Sequence, residues 1–241
     1  MSAPGGSMRR SGFRLSGLAP GLLLVLALAA GDARALPLPP NSLDLRIGYH
    51  SFFGVDSTQR LDDLGVSKPA GIECATHPES LDGVSGEIVY ARRFHDMFSL
   101  AVSAGVYGGR SSSMTTAEKA RVSGSWSVVV VPVLLTPRLH LRLDPVDLYA
   151  GAGGGIYFVT TDFRLKVDDS AGVRHLGAHE SRSVLGWHVL LGIEWRFHRN
   201  WGALLEDRFA FAPVRGGSRE TGLGDFDAGG NDIVLGVRWH F

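Results

Sequence analysis

Between Leu185 and Phe197 the chain alternates with a period of two. The odd positions are Leu185, Trp187, Val189, Leu191, Ile193, Trp195 and Phe197, and between them stand Gly186, His188, Leu190, Gly192, Glu194 and Arg196. A strand turns successive side chains to opposite faces, so this segment has one broad apolar, aromatic-rich face and one that is small, polar or charged. The last segment repeats the pattern, with Ile233, Leu235, Val237, Trp239 and Phe241 opposing Val234, Gly236, Arg238 and His240. Glycine, Glu and Arg suit a narrow wet interior, whereas the Trp and Phe face suits lipid, which is the reverse of a soluble sheet. The chain is thereby constrained to a sheet closed on itself with its apolar face outward.

Weaker copies occupy the rest of the chain. Leu43, Leu45, Ile47 and Tyr49 face away from Asp44, Arg46, Gly48 and His50, and Phe98 to Tyr107 alternates likewise. Gly83 to Phe94, Ser125 to Leu141, Asp147 to Thr161 and Trp201 to Pro213 bring the predicted strands to eight. Val and Gly runs leave the phase of Ser125 to Leu141 and of Asp147 to Thr161 open. Helix competes poorly, because Gly, β-branched and aromatic residues are dense and the apolar spacing is two rather than 3.6. The gaps Val55 to Asp82, Gly108 to Val122, Asp162 to Arg182 and Val214 to Gly230 are long, and those at His95-Asp96, Asp144 to Asp147 and His198 to Asn200 are short. Long and short gaps take strict turns along the chain. The expectation is an all-β, eight-stranded antiparallel transmembrane up-and-down β-barrel with four long external loops and three short periplasmic turns. Aromatics fall near both strand ends as two girdles: Phe94, Phe98, Trp195, Phe197, Trp201, Trp239 and Phe241 on the periplasmic side, and Phe53, Tyr107, Trp126, Phe158 and Trp187 on the outer side.

Export is expected from the first 35 residues. Arg9, Arg10 and Arg14 precede the apolar run Leu18 to Ala30, and Ala33-Arg34-Ala35 supplies a small-x-small cleavage pattern. The run is shorter than the roughly 20 residues that a membrane helix needs, so 1-35 reads as a signal peptide and 36-241 as one barrel domain. Removing the four Arg and one Asp of that segment from 24 basic and 24 acidic residues leaves 20 and 23, with no basic excess to suggest nucleic acid. Cys74 is the only cysteine, which rules out an internal disulfide.

The segment Val234 to Phe241 resembles the terminal strand of the outer-membrane β-barrel domain family, whose members commonly end in an alternating strand closed by Phe. Val131-Pro132-Val133-Leu134-Leu135-Thr136-Pro137-Arg138 and the Gly-rich run Leu148 to Tyr157 resemble the family's fourth strand, short turn and fifth strand. The resemblance spans the OmpA, OmpW and opacity-protein branches without separating them. It implies a monomeric protein of the bacterial outer membrane, with membrane lipid, lipopolysaccharide and the outer-membrane assembly machinery as partners. It also implies that Trp239 and Phe241 form the signal the machinery reads, and that the external loops carry any recognition of a surface ligand. Asp207, between Glu206 and Arg208, departs from the pattern: it falls in the lipid-facing phase, so a bulge or a shifted phase is expected there.

Arg46, Glu87, Glu194, Arg196, Glu206, Arg208 and Arg238 all fall on the inward phase, with His240 beside them. Charges removed from water cost several kcal/mol each unless partnered, so a salt-bridged plug in the lumen is the primary expectation. A small-solute channel of the OmpW type lined by the same residues is the alternative, and an outer-leaflet lipid-modifying enzyme is the third. No enzymatic role and no cofactor or metal is expected. His50-Ser51 puts the two side chains on opposite strand faces, and His179-Glu180-Ser181 falls in a predicted loop. Gly151 to Gly155 lacks the third glycine of a dinucleotide loop, and His175 and His179 have no third ligand marked. Asp56, Asp62, Asp63, Glu73, Glu79 and Asp82 make the first long connection acidic, which reads as a solvated loop.

Overall fold

The computed structural model describes residues 39–53, 81–117, 120–169, 172–215 and 226–241. The segment expected to be a leader, Cys74, and the acidic residues Asp56, Asp62, Asp63, Glu73 and Glu79 lie outside them. The strands are β1 (Asn41–Phe52), β2 (Gly83–His95), β3 (Phe98–Ala117), β4 (Ala120–Leu143), β5 (Val146–Asp169), β6 (Gly172–His198), β7 (Trp201–Phe211), β8 (Pro213–Val214), β9 (Phe226–Asp227) and β10 (Gly230–His240). Eight of them close a barrel in the order β1-β10-β7-β6-β5-β4-β3-β2, while β8 and β9 pair separately. Every barrel contact is antiparallel, and β1 with β10 completes the ring from Ser42↔His240 to Phe52↔Gly230. Closure leaves no free sheet edge around the barrel body.

The phases read from the sequence are the ones adopted. Leu45 is 68% exposed and Ile47 64%, whereas Arg46 between them and Asp44 before them are buried. In β4 the even positions Trp126, Val128, Val130, Leu134, Thr136 and Arg138 are buried and the odd ones from Val129 to Leu139 are exposed; in β5 Asp147, Tyr149 and Tyr157 are buried while Ile156 and Phe158 are exposed. The two strands whose pattern was open in the sequence are thus fixed by burial. Aromatics cluster outside at both ends, with Trp201 stacked on Trp239 and Trp239 on Phe241 at the short-turn end, and Trp187 on Phe211 at the other.

Three expectations change. Tyr107 and Trp126, expected in the outer girdle, are buried inside the barrel, because they lie in phase with Ser103 and Val128. The long connections Gly108 to Val122 and Asp162 to Arg182 are mostly strand: β3 pairs with β4 up to Ala117↔Ala120, and β5 with β6 up to Asp169↔Gly172. Strands β3 to β6 therefore continue as a four-stranded sheet beyond the rest of the wall. Asp207 faces outward with no bulge, since β7 keeps register through Leu191↔Asp207 and Asp207↔Ile233. Its carboxylate is half-buried and accepts a hydrogen bond from Asn231 Nδ2 at 2.6 Å, so a neighbouring strand supplies the polar partner that lipid cannot.

Candidate functional site

Inward positions of the lower barrel converge on four guanidinium groups and four carboxylates. Arg46 on β1 donates to Asp44 at 2.6 Å, to Glu206 at 2.8 Å and to Glu87 at 3.2 Å. Arg208 on β7 holds both oxygens of Glu87, at 2.8 and 2.7 Å, and also Glu206 at 2.8 Å. Arg238 on β10 clasps Asp44 through Nε and Nη2 at 2.7 and 2.8 Å and reaches Glu194 at 2.6 Å. Arg138, from β4, lies 3.7 Å from Glu206 and 4.0 Å from Asp44. These are not only neighbour-strand contacts. Arg208 to Glu87 and Arg138 to Glu206 each join strands three places apart around the ring, so they span the lumen.

Tyr149 sits at the centre of this cluster. Its hydroxyl donates to Glu206 at 3.0 Å, and Arg138 and Arg238 lie 5.3 and 5.1 Å from its ring centroid. Gly192 makes the room, because it pairs directly with Tyr149 and a β-carbon there would overlap the Tyr149 ring. The inward glycine of the β6 alternation is therefore a steric requirement of the network.

Toward the short turns the pairing continues in smaller groups. His240 and Glu194 are 2.6 Å apart, Arg93 donates to Asp147 at 2.7 Å, and His140 lies between Asp147 and the Ser99 hydroxyl, at 3.2 and 2.7 Å. Arg196 points inward but stands apart from the central cluster, bound to Asp144 of the β4–β5 turn at 2.6 Å.

The upper lumen is filled differently. Trp126, Val128, Val130 and Leu134 of β4, Tyr157 and Val159 of β5, Tyr107 of β3 and Phe52 of β1 form one buried cluster. The chain between β7 and β10 packs into it with Ala212, Val214 and Ala228, held by Asp227, whose Oδ1 accepts from the Ala212 and Gly229 amides at 2.7 and 2.8 Å. Tyr107 donates to the Ala228 carbonyl at 2.8 Å. At the boundary between the two fillings, His50 stacks on Tyr107 at 3.7 Å, its Nδ1 3.9 Å from Asp232, while Ser85 donates to Asp232 at 2.6 Å. His188, also buried, meets Thr136 at 2.9 Å.

Of the inward residues singled out in the sequence, Arg46, Glu87, Glu194, Glu206, Arg208 and Arg238 come together and Arg196 does not. Asp44, Arg138 and Tyr149 were missed. Asp44 was legible by its phase with Arg46, whereas Arg138 and Tyr149 belong to the strands of open phase. Trp239 and Phe241 are exposed on the outer wall. His50 and Ser51 turn to opposite faces, the latter donating to Asp82 at 2.8 Å. His179 bonds Asp162 at 2.9 Å, but Ser181 bonds Thr160 rather than His179, so nucleophile and base are not linked. Among the described residues no group of three or more His, Cys, Asp or Glu is placed to hold a metal ion.

No family model matches the chain, and no curated protein matches its sequence. Solved structures do. Neisserial surface protein A is 14% identical, with a TM-score of 0.43 over 83% of this chain and 96% of that one. The outer membrane protein OprG from Pseudomonas aeruginosa is 12% identical, with a TM-score of 0.47 over 85% and 97%. Ail, the attachment invasion locus protein of Yersinia pestis, is 13% identical, with a TM-score of 0.39 over 85% and 100%.

Proposed function

We propose that the chain is an integral barrel of the bacterial outer membrane with a closed lumen, and that its role is structural or surface-interacting rather than conductive. The observation that carries this reading is the inversion of polarity. The outer wall is lined by Leu45, Ile47, Leu185, Leu191 and Leu235, all more than half exposed, while Arg46, Glu194 and Glu206 are shut inside. In water such a wall would be an aggregation surface; in a bilayer it is the required one. Balanced charges that bond across the lumen leave no single-sign lining to attract ions, and the apolar filling above them adds a second closure. Recognition then falls to the long-connection end, where the sheet of β3 to β6 projects.

Planar-bilayer recording of the refolded full chain tests closure. No defined open level is expected, and a steady single-channel conductance would overturn the reading in favour of a small-solute channel. Heat-modifiable migration in outer-membrane fractions tests the location. Its absence from correctly exported protein would count against the membrane assignment itself.

A further inference from the structure

The outward face of β3 to β6 changes character row by row. Ala104, Val133, Ile156 and Leu185 pair across the four strands and give an apolar row. Farther from the short turns come Gly108, Val129, Thr160 and Ser181, then Arg110, Ser127, Asp162 and His179. Beyond them Ser125 pairs with Arg164, and Ser123 with Lys166. Arg110, Arg164 and Lys166 are exposed. None of the three forms an ion pair among the described residues, while Asp162 is already engaged by His179. A row spans two residues of a tilted strand, so Arg110 stands about 10 Å and Lys166 about 20 Å above the Phe158 row that ends the belt.

The second observation lies directly below. An open groove of about 1230 Å³ runs down the outer wall beside this face. Its floor is Gly86, which turns no side chain to the lipid; Ile47 and Val106 flank it, and Arg110 and Ser127 stand at its upper end. The groove is continuous with the apolar belt, and its upper end carries both Arg110 and Asp82, the latter already accepting a hydrogen bond from Ser51.

We propose that groove and face together bind a phosphorylated glycolipid of the outer leaflet. One acyl chain lies over Gly86 between Ile47 and Val106, and the phosphate and sugar groups meet Arg110, Arg164 and Lys166 among the serines of β4. The inference rests on the outer-membrane reading and names its lipid partner. A phospholipid carries its phosphate close to the acyl boundary and would leave Arg164 and Lys166 unused. A tall phosphorylated saccharide head spans all three cations, and Ser123, Ser125 and Ser127 offer hydroxyls of the kind that sugars pair with.

Native mass spectrometry of the full chain in detergent, with deep-rough lipopolysaccharide and with dioleoyl phosphatidylglycerol as probes, tests the site. The variant Arg110→Gln/Arg164→Gln/Lys166→Gln is expected to lose lipopolysaccharide affinity about tenfold or more while changing phosphatidylglycerol binding less than about twofold. Gly86→Leu, which fills the groove, is expected to weaken lipopolysaccharide about threefold. That variant should fold, since the nearest atom to a β-carbon at Gly86 is the Arg46 carbonyl oxygen at 4.0 Å. Unchanged lipopolysaccharide binding in either variant, or wild-type protein that holds phosphatidylglycerol as tightly, overturns the site. Wild-type protein that never shows heat-modifiable migration would instead count against the outer-membrane reading beneath it.

Discussion

The two halves of the lumen are walled by the same strands in the same phase, yet they are filled by opposite chemistry. In the lower half Arg46, Arg138, Arg208 and Arg238 meet Asp44, Glu87, Glu194 and Glu206, whereas in the upper half Trp126, Val128, Val130, Leu134 and Tyr157 pack with Val214 and Ala228. The contrast teaches how a narrow barrel closes without a soluble-style core. The charged half carries a heavy desolvation cost and is directional, so its partners bond only in one register, with contacts as distant in sequence as Asp44 and Arg238. The apolar half is non-directional and keeps water off the ion pairs, which strengthens them and makes any unpaired charge among them more costly. Removing a group should therefore hurt in different ways in the two places.

The largest expected effect is in the charged half. Glu206 serves Arg46, Arg208, Arg138 and Tyr149 at once. Glu206→Gln should cost about 3 to 5 kcal/mol in urea unfolding from lipid vesicles, because three guanidinium groups lose the charge that offsets their burial. A loss below about 1 kcal/mol would mean that water reaches the network and that the halves do not differ as described.

Next comes the apolar half. Leu134→Ala removes a buried side chain from the upper cluster and should cost about 2 to 3 kcal/mol, the low end of the range for such truncations. The same assay reads it. A cost above that of Glu206→Gln would reverse the ranking.

The third test asks whether the charged half acts as a network. Glu194 bonds Arg238 and His240, while Arg196 bonds Asp144. A double-mutant cycle of Glu194→Gln with Arg238→Gln should show a coupling of about 1 to 3 kcal/mol, and the cycle with Arg196→Gln should be additive within about 0.5 kcal/mol. Additivity in both cycles would mean that even the directly bonded Glu194 and Arg238 are uncoupled, and the network claim would fall with them.

The same division of the lumen decides what the sequence could reveal. Where the interior is charged, inside and outside differ in kind, and β1, β6, β7 and β10 show their phase plainly, as Leu45 and Ile47 against Asp44 and Arg46 illustrate. Where the interior is apolar the contrast vanishes. Val128 and Val130 point inward and Val129 and Val131 outward, so a run of valines hides the alternation, and Trp126 passes for an interfacial aromatic. Pairing was illegible for another reason: which Arg meets which Glu depends largely on contacts between strands that are two or three apart in the ring. The extension of β5 past the belt did leave a trace, in Phe163, Leu165 and Val167 alternating with Arg164 and Lys166, but a polar outward face resembles a loop when judged by a lipid-facing template. Gly192 carried no sign of the Tyr149 ring it accommodates. Gly192→Ala is therefore expected to disturb the centre of the network, since the alanine methyl would press on the Tyr149 ring.

The finest comparison makes one chemical change in both halves. Tyr149 and Tyr107 are both buried, and each hydroxyl donates one hydrogen bond: Tyr149 to the Glu206 carboxylate at 3.0 Å, Tyr107 to the Ala228 carbonyl at 2.8 Å. Phenylalanine at either position keeps the ring and removes only the donor. At Tyr149 the acceptor is charged, which raises the expected loss to about 1.5 to 3 kcal/mol, although the Arg side chains around Glu206 soften it toward the lower figure. At Tyr107 the acceptor is a neutral peptide oxygen, and the expected loss is about 0.5 to 1.5 kcal/mol. The second change has a local signature that the first lacks. Ala228 lies in the connection that packs down onto the upper cluster, and its amide bonds the Ala212 carbonyl at 3.0 Å. Tyr107→Phe should therefore speed hydrogen exchange at the Ala228 and Gly229 amides while leaving the β1 and β10 amides near Arg46 and Arg238 protected. Tyr149→Phe should lower global stability more without that local opening. Equal stability losses with unchanged exchange at Ala228 would show that the Tyr107 hydrogen bond contributes nothing measurable to holding the upper filling.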